Sequence, residues 1–301
     1  MPYTKPTSFN YNIVSSWYKT PAVKFELIKS LYNREFALLV PRMYDKLSYR
    51  SVRTLKVHSV QHLDFNLKAT DMFKFNTPYN FYYSLAKFKN GIPNQTLNFQ
   101  ERNNDDWKEN YYKEMVSYDW LIDIDAGDFD DLKFAYHSAR NVKGLFDKLN
   151  VPYELRYSGM GFHFIVPYKF LPKNLTFNPH SEELTIYKFL KNLTKCIADD
   201  YSDLIDLNVF DSRRVCKLPY SLAIYENDAF VCHPFLSDEE FKNFKVKGVV
   251  MYGSLYKLRP ENYKYQVQNR GTRLFNSDGN ISKLLMRYKL NEYIKHIGGD
   301  Y

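Results

Sequence analysis

The chain has 301 residues, of which 45% are hydrophobic and 25% charged, so it can bury the core of one large or two small domains. This composition excludes a disordered chain and a collagen-like repeat. The three cysteines form no C-x-x-C pair and are widely spaced, which argues against a disulfide scaffold. The formal net charge is +8 and 18% of the residues are aromatic, which is typical of a polyanion-binding surface. A compositional bias toward Lys, Asn, Tyr and Phe from an AT-rich genome explains the same numbers equally well.

Nothing in the sequence predicts export or membrane insertion. The first twelve residues are polar and lack the apolar region of a signal peptide. No stretch approaches the roughly 18 consecutive apolar residues that a membrane helix needs. Unpaired cysteines fit a reducing compartment. We therefore expect a soluble intracellular protein with no membrane contact.

The first third of the chain mixes both types of secondary structure. Hydrophobic patterning and turn residues predict two helices and two strands, followed by a polar loop with a helical turn. In chain order these are a helix over Phe25–Tyr32, a strand over Glu35–Val40, a helix over Ser59–Phe75, a strand over Asn80–Leu85 and the loop Gly91–Asn110.

The remainder gives clearer patterns. Predicted strands cover Tyr118–Asp125, Tyr153–Tyr157, Phe162–Val166, Val215–Leu218 and Ala229–Val231. Predicted helices cover Asp130–Asn150, Ser181–Ala198 and Ile281–Ile297. Asp128 or Asp130 would cap the first, Glu182 and Glu183 would open the second, and Gly298 and Gly299 would close the third. Without regular βαβ alternation, this order predicts an α+β fold with a mixed or mainly antiparallel sheet. No linker divides the chain, so we expect one domain over 1–301.

Three segments carry the residue types that chemistry needs, and the first is Asp123-Ile-Asp125. Residues two apart on a strand face the same side, about 6.6 Å from one another. Two carboxylates held so close repel unless a cation lies between them, and oxygen-only ligands favour Mg²⁺ or Mn²⁺. The alternative is a strand end with two solvated acids.

The second segment is the turn Ser158-Gly-Met-Gly161 with His163 behind it. Gly159 and Gly161 would permit positive φ and expose N–H groups to an anion, while Ser158 and His163 can donate to phosphate oxygens. The alternative is a hairpin turn with a structural histidine.

The third segment runs from Asp211 to Ser221 and contains one acid and three bases. Asp211 could complete a three-carboxylate metal site, and Arg214 and Lys217 could neutralise a triphosphate. The alternative is a solvated basic loop with Asp211 paired locally to Arg213 or Arg214. Together the three segments hold the parts for metal-assisted phosphoryl or nucleotidyl transfer.

In this order the segments resemble the catalytic (small) subunit of the archaeo-eukaryotic DNA primases and the related primase-polymerases. The acidic pair, the Ser-Gly-x-Gly-x-His turn and an Asp followed by an Arg/Lys-rich Leu-Pro-x-Ser-Leu run all match. Weaker upstream matches lie at 33–37 and 77–86, so the likeness covers roughly Trp17 to Leu222.

The resemblance implies a two-layer core with an RRM-like half over roughly 17–240, and an extension over 241–301 that ends in an amphipathic helix. It implies a DNA primase or primase-polymerase in replication, with two Mg²⁺ or Mn²⁺ ions held by Asp123, Asp125 and Asp211. Ser158, Gly159, Gly161, His163, Arg214 and Lys217 would bind the NTP or dNTP. Single-stranded DNA would be the template, a large primase subunit or a helicase a further partner, and the cytoplasmic nucleoid the location.

This sequence departs from the family pattern at several positions. Met160 stands where relatives carry Arg, and Ala223 and Tyr225 replace a His and a Lys. The family's zinc-binding Cys cluster is missing after the acidic pair, so no zinc is expected. Two other interpretations therefore stay open: a catalytically weak or inactive nucleic-acid-binding protein of a replication complex that retains the fold, and a repair polymerase.

Overall fold

The computed structural model describes residues 17–41, 49–54, 80–89, 105–128, 130–225, 228–244 and 271–297. The helices are α1 (Pro21–Ser30), α2 (Asp105–Lys113), α3 (Leu132–Leu149), α4 (Ile186–Tyr201), α5 (Asp238–Lys242) and α6 (Ser282–Arg287). The first strands are β1 (Phe36–Pro41), β2 (Tyr49–Thr54), β3 (Asn80–Ser84), β4 (Ala86–Phe88), β5 (Met115–Tyr118) and β6 (Trp120–Asp125). The later strands are β7 (Glu154–Tyr157), β8 (Gly161–Val166), β9 (Val215–Lys217), β10 (Leu222–Tyr225), β11 (Asp228–Val231) and β12 (His233–Pro234).

Two four-stranded antiparallel sheets organise the molecule. The first has the order β2-β1-β3-β9 and the second the order β12-β7-β8-β6. Two small antiparallel pairs, β4-β5 and β10-β11, accompany them. The predicted α+β class with mainly antiparallel pairing is confirmed.

Helices α3 and α4 form because each has one apolar face. The buried positions of α3 recur at helical spacing, among them Leu132, Ala135, Ala139, Val142 and Phe146. The helix ends at Asn150 in the left-handed conformation, a common C-terminal cap. Helix α4 begins where the Thr185 side chain accepts a hydrogen bond from the Lys188 N–H.

One continuous hydrophobic core joins both ends of the described chain. It extends from Trp17 to Leu285 and contains large aromatic side chains that are fully buried, such as Trp120, Tyr118 and Phe146. Each such ring removes about 150–250 Å² from water, so aromatic burial accounts for much of the 18% aromatic content. The aromatic residues therefore do not by themselves indicate a nucleic-acid surface.

Several predicted boundaries were wrong for local reasons. The predicted strand Tyr118–Asp125 corresponds to β6 but begins too early, because Tyr118 is the last residue of β5, which pairs with β4 whereas β6 pairs with β8. Glu182 and Glu183 precede α4 instead of opening it, since Thr185 pairs with Thr176 before the helix starts. Strands β2, β4, β10 and β12 had no prediction, and the predicted helix over 59–75 lies outside the described residues.

The predicted final helix Ile281–Ile297 is interrupted. Helix α6 ends at Arg287, Lys289 has a φ of 58°, and a 3₁₀ turn follows over Asn291–His296. A residue in the left-handed conformation cannot continue a right-handed helix, so the apolar pattern is divided between two short helical segments. Among the described residues, no helix is long and apolar enough to span a bilayer.

Candidate active site

Strand β6 carries the acidic pair to an open cavity of about 260 Å³. Asp123 and Asp125 both line this cavity, together with Leu121, which is two residues earlier on the same face. Ile122 and Ile124 face the opposite side and are fully buried. The strand pattern thus placed both carboxylates on one face, as the sequence predicts.

The β7–β8 hairpin forms the opposite wall of the cavity. Ser158, Met160 and His163 line it, and Asp123 lies directly across the strand pair from His163. The amides of Gly159 and Met160 form no hydrogen bond with described residues, so they are available to an anion.

The two glycines of the turn serve different purposes. Gly159 has a φ of 106°, as the sequence predicts. Gly161 does not have a positive φ; a Cβ there would lie 1.9 Å from the Ile124 carbonyl oxygen. Gly161 is therefore needed because β8 approaches β6 closely, whereas the positive φ that glycine permits occurs in this turn at Gly159.

Asp123 and His163 form a buried acid–base contact. The Nε2 of His163 lies 3.2 Å from the Oδ1 of Asp123, although this oxygen and the ring Nδ1 are both buried without a well-formed hydrogen bond. Burial alone would raise the pKa of Asp123, but the charges of His163, Lys217 and Arg214 outweigh it and lower this pKa.

Asp125 lies in a different environment. Partial burial and the Asp123 charge raise the pKa of Asp125 to about 6, against the opposing effect of His163 and Lys217. Asp206 also contributes to this rise. The site therefore holds one firmly ionised carboxylate and one that a cation would help to ionise.

Lys217 and Arg214 bring positive charge to the cavity from β9 and the loop before it. The Nζ of Lys217 donates to the Ser158 carbonyl at 2.8 Å, so it ties the first sheet to the hairpin. The guanidinium of Arg214 donates to the carbonyls of Asn208 and Val209 and pairs with Asp211. Arg214 consequently shapes its own loop as well as facing the cavity.

Asp211 is half exposed; its carbonyl accepts from the Tyr118 hydroxyl at 2.8 Å, but the described contacts of its carboxylate are local. Its Oδ1 accepts from the Arg213 N–H at 2.9 Å and its carboxylate lies 2.9 Å from the Arg214 guanidinium. It is not among the described residues that line the cavity. The local pairing that the sequence left open as an alternative is therefore present.

Asp206 is an acid next to β6 that the sequence reasoning did not consider, although, like Asp211, it does not line the cavity. The segment before it runs along β6: Ile205 bridges to Ile124, and the Asp206 N–H donates to the Asp123 carbonyl at 2.9 Å. The Asp206 charge contributes to the raised pKa of Asp125, although its carboxylate also accepts a local hydrogen bond from the Asn208 N–H at 2.7 Å. A signal was present, because Leu204-Ile-Asp206 repeats the pattern Leu121-Ile-Asp123.

The Leu-Pro-x-Ser run after Lys217 has a structural role. The Ser221 hydroxyl accepts from the Phe81 N–H at 2.7 Å, and the Trp17 indole donates to the Tyr220 carbonyl at 2.9 Å. Tyr220 has a φ of 65°, which turns the chain sharply after Pro219. These bonds fix the end of β9 against β3 and so fix Lys217 in the cavity.

The chemistry of the acidic pair fits a divalent cation. Two carboxylates share one face, a buried Asp123 oxygen lacks a well-formed hydrogen bond, and burial together with the Asp123 charge raises the pKa of Asp125. In the described part of the chain, no three His, Cys, Asp or Glu side chains are clustered closely enough to form a metal site. The fit therefore rests on the pair, with Asp206 adjacent.

The α+β fold of the described residues is similar to that of a solved polymerase domain. Among solved structures, the chain is similar to the polymerase domain of Mycobacterium tuberculosis ligase D in complex with DNA, with a TM-score of 0.51 and 11% identity. The similarity covers 94% of this chain and 96% of that domain. No protein-family model matches the chain, and no curated protein sequence does.

Proposed function

We propose that this protein is a DNA-templated nucleotidyltransferase that makes or extends primers from nucleoside triphosphates. The observation that carries the proposal is the single cavity in which Asp123 and Asp125 face His163, Lys217 and Arg214. Acids on one wall suit divalent cations, and a cationic wall suits a triphosphate. The DNA bound to the ligase D polymerase domain supports a DNA template here.

The proposed reaction is an in-line displacement at phosphorus. A 3′-hydroxyl oxygen bonds to the α-phosphorus, the bond from that phosphorus to the bridging oxygen breaks, and pyrophosphate leaves while the hydroxyl loses its proton. Bound Mg²⁺ or Mn²⁺ would supply Lewis-acid stabilisation of the attacking and leaving oxygens. Asp123 and Asp125 would hold these ions.

The chain's own residues would bind and orient the triphosphate. The Ser158 hydroxyl and the amides of Gly159 and Met160 would donate to the phosphates, and Gly161 lets β8 approach β6 closely. Lys217 and Arg214 offset phosphate charge, and His163 keeps the Asp123 carboxylate ionised beside them. We assign the third carboxylate to Asp206 in place of Asp211.

A templated incorporation assay tests the proposal. Wild type is incubated with Mg²⁺ or Mn²⁺ on single-stranded templates, with and without primer, and with NTPs or dNTPs. Asp123→Asn should reduce incorporation by at least a hundredfold without loss of folding, because the cation loses its main ligand. If wild type incorporated no nucleotide under any of these conditions, the proposal would be contradicted. The interpretation as a non-catalytic nucleic-acid-binding protein would then be favoured.

The same assay separates the two candidates for the third carboxylate. Asp206→Asn should lose activity nearly as severely as Asp125→Asn. Asp211→Asn should retain activity within about tenfold, because the described contacts of its carboxylate are confined to its own loop. The opposite ranking would restore Asp211 to the metal site and would leave the rest of the proposal intact.

A further inference from the structure

A second cleft of about 280 Å³ opens beside the candidate active site. We call it the α1 cleft and define it by six of its lining residues: Lys29, Tyr32, Arg34, Lys87, Asp119 and Arg156. Glu154 and Ile165 line it and lie opposite each other on β7 and β8. This pair is two residues along the strands from the pair of Arg156 and His163. That separation is about 6.6 Å along the sheet, so both cavities lie on one sheet face.

Charges at the base of the cleft are mostly paired with each other. Arg34 forms a buried ion pair with Asp119, and its guanidinium also donates to the carbonyls of Ser84 and Leu85, each at 2.8 Å. Arg156 pairs with Glu154 at 2.5 Å. These two pairs leave no net charge, so the remaining groups decide what the cleft attracts.

Lys87 is the cation left over. Among the described residues its Nζ has no hydrogen bond or ion pair. Burial and the nearby Arg34 charge lower the pKa of Lys87, while Asp119 and Glu154 act in the opposite direction. An unpaired, half-buried ammonium next to a guanidinium is stabilised by an anion that enters the cleft.

The mouth of the cleft adds a second cation and an aromatic ring. Lys29 is exposed and lies near the buried acid Glu26. Burial raises the pKa of Glu26 by more than the Lys29 charge lowers it. Tyr32 is 69% exposed, which is unusual in a chain whose large aromatics are mostly buried. A cationic pocket next to an exposed ring suits a phosphate with an adjoining base.

We propose that the α1 cleft binds single-stranded nucleic acid, with Lys87 contacting a phosphate and Tyr32 stacking on a base. This inference rests on the proposed function, because it supplies a strand-holding subsite on the same sheet face as the acidic pair. The phosphate could be an internal phosphodiester or a terminal 5′-phosphate, which share the same chemistry.

The test measures binding of a fluorescent twelve-nucleotide DNA strand by anisotropy at several salt concentrations. Lys87→Gln should weaken binding by about three- to tenfold and reduce the salt slope by roughly 0.7, the value for one phosphate contact on a single strand. Tyr32→Ala should weaken binding by at least fivefold with an unchanged salt slope. Lys89→Gln, an exposed lysine two residues away that does not line the cleft, is the matched control.

The 5′-phosphorylated and 5′-hydroxyl forms of the strand distinguish the two phosphate sources. A Lys87 effect confined to the phosphorylated strand assigns the cleft to strand ends, and an equal effect on both assigns it to the internal backbone. Equal DNA affinities of Lys87→Gln and Lys89→Gln, with both variants melting like wild type, would overturn the inference. Incorporation by wild type would in that case still support the proposed function. Lys87-dependent binding without any incorporation would contradict the proposed function alone.

Discussion

Asp123 and Asp125 lie two residues apart on one strand, yet their surroundings shift their pKa values in opposite directions. For Asp123, the neighbouring His163, Lys217 and Arg214 charges outweigh burial and lower the pKa. For Asp125, partial burial and the charge of Asp123 dominate and raise the pKa to about 6. Burial and repulsion from Asp123 together disfavour the ionised form of Asp125, and a bound cation would offset both.

Asp125→Asn should stabilise the metal-free protein near pH 7.5. The folded-state pKa is about 6 and the ordinary value is near 4, so the folded chain binds this proton more tightly and loses stability as pH rises through that window. Removing the charge should raise the free energy of unfolding by about 1 kcal/mol at pH 7.5, after discounting for exposure, and by almost nothing at pH 4. Urea denaturation at both pH values measures this.

Asp278→Asn is the control for that measurement, because Asp278 is an exposed acid. Its effect should be within about 0.5 kcal/mol at either pH. Addition of Mg²⁺ or Mn²⁺ should stabilise wild type and not Asp125→Asn. A destabilised Asp125→Asn protein at pH 7.5 without metal would show that the carboxylate is already compensated.

The three cysteines should differ in reactivity. Burial raises the pKa of Cys216 to about 12 and that of Cys232 to about 11, whereas Cys196 is partly exposed on α4. Only the thiolate reacts, so at pH 8 a maleimide should modify Cys196 at least tenfold faster than the other two in folded protein. Peptide mass spectrometry over time measures the three rates, and similar rates would contradict the described burial.

At the level of elements, the β7–β8 hairpin depends on one glycine. In Gly161→Ala, the new Cβ would meet the Ile124 carbonyl oxygen at 1.9 Å, and neither backbone can move without breaking the β6–β8 pairing. We expect a loss of about 2–4 kcal/mol in the free energy of unfolding, together with loss of nucleotide binding. Thermal and urea unfolding measure the first effect and fluorescent nucleotide titration the second.

Gly144→Ala gives the matched control on the neighbouring helix. A Cβ at Gly144 has nothing within 4 Å, and the position lies inside α3. Alanine there should stabilise the protein by about 0.5–1 kcal/mol, since glycine costs a helix that much in backbone entropy. If Gly161→Ala behaved like Gly144→Ala, the close approach of the hairpin to β6 would be wrong.

Elements with strong periodicity could be predicted from the sequence. The strand before Asp125 and helix α3 follow from local patterns of apolar and polar residues, which are fixed by the period of each structure. The final helix failed because its pattern does not show that Lys289 takes a left-handed conformation. A single residue's φ depends on tertiary packing, which the periodicity does not contain.

The residues of the candidate site could likewise be predicted where they lie in short strand or turn motifs. The acidic pair, the glycine turn and Lys217 meet in one cavity, because each is fixed by a short strand motif. Asp206 was missed because its proximity comes from a loop that pairs with the edge of β6. The repeated Leu-Ile-Asp pattern at 204–206 marks this segment, but a bridge outside a regular strand leaves little periodic signal to place it next to β6.

At the scale of the whole molecule, two reciprocal contacts join the sheets behind the cavity. Lys217 of the first sheet donates to the Ser158 carbonyl next to the second sheet. In the other direction, the buried guanidinium of Arg156 on β7 donates to the Tyr83 hydroxyl on β3 at 3.0 Å. The relative position of acids and bases in the cavity therefore depends on buried polar bonds between the sheets.

A double-mutant cycle between Arg156 and Tyr83 tests that dependence. Arg156→Met should cost about 3 kcal/mol, because Glu154 loses its partner, and Tyr83→Phe about 1 kcal/mol. Because the two groups share one bond, the double variant should be less destabilised than the sum, by about 0.5–1.5 kcal/mol. The exposed pair Glu109 and Lys113 on α2, with more than half of each side chain in solvent, should show a coupling energy below about 0.5 kcal/mol in the same urea measurement. A coupling energy for Arg156 and Tyr83 no larger than that surface pair's would mean that apolar packing alone holds the sheets in register around the cavity.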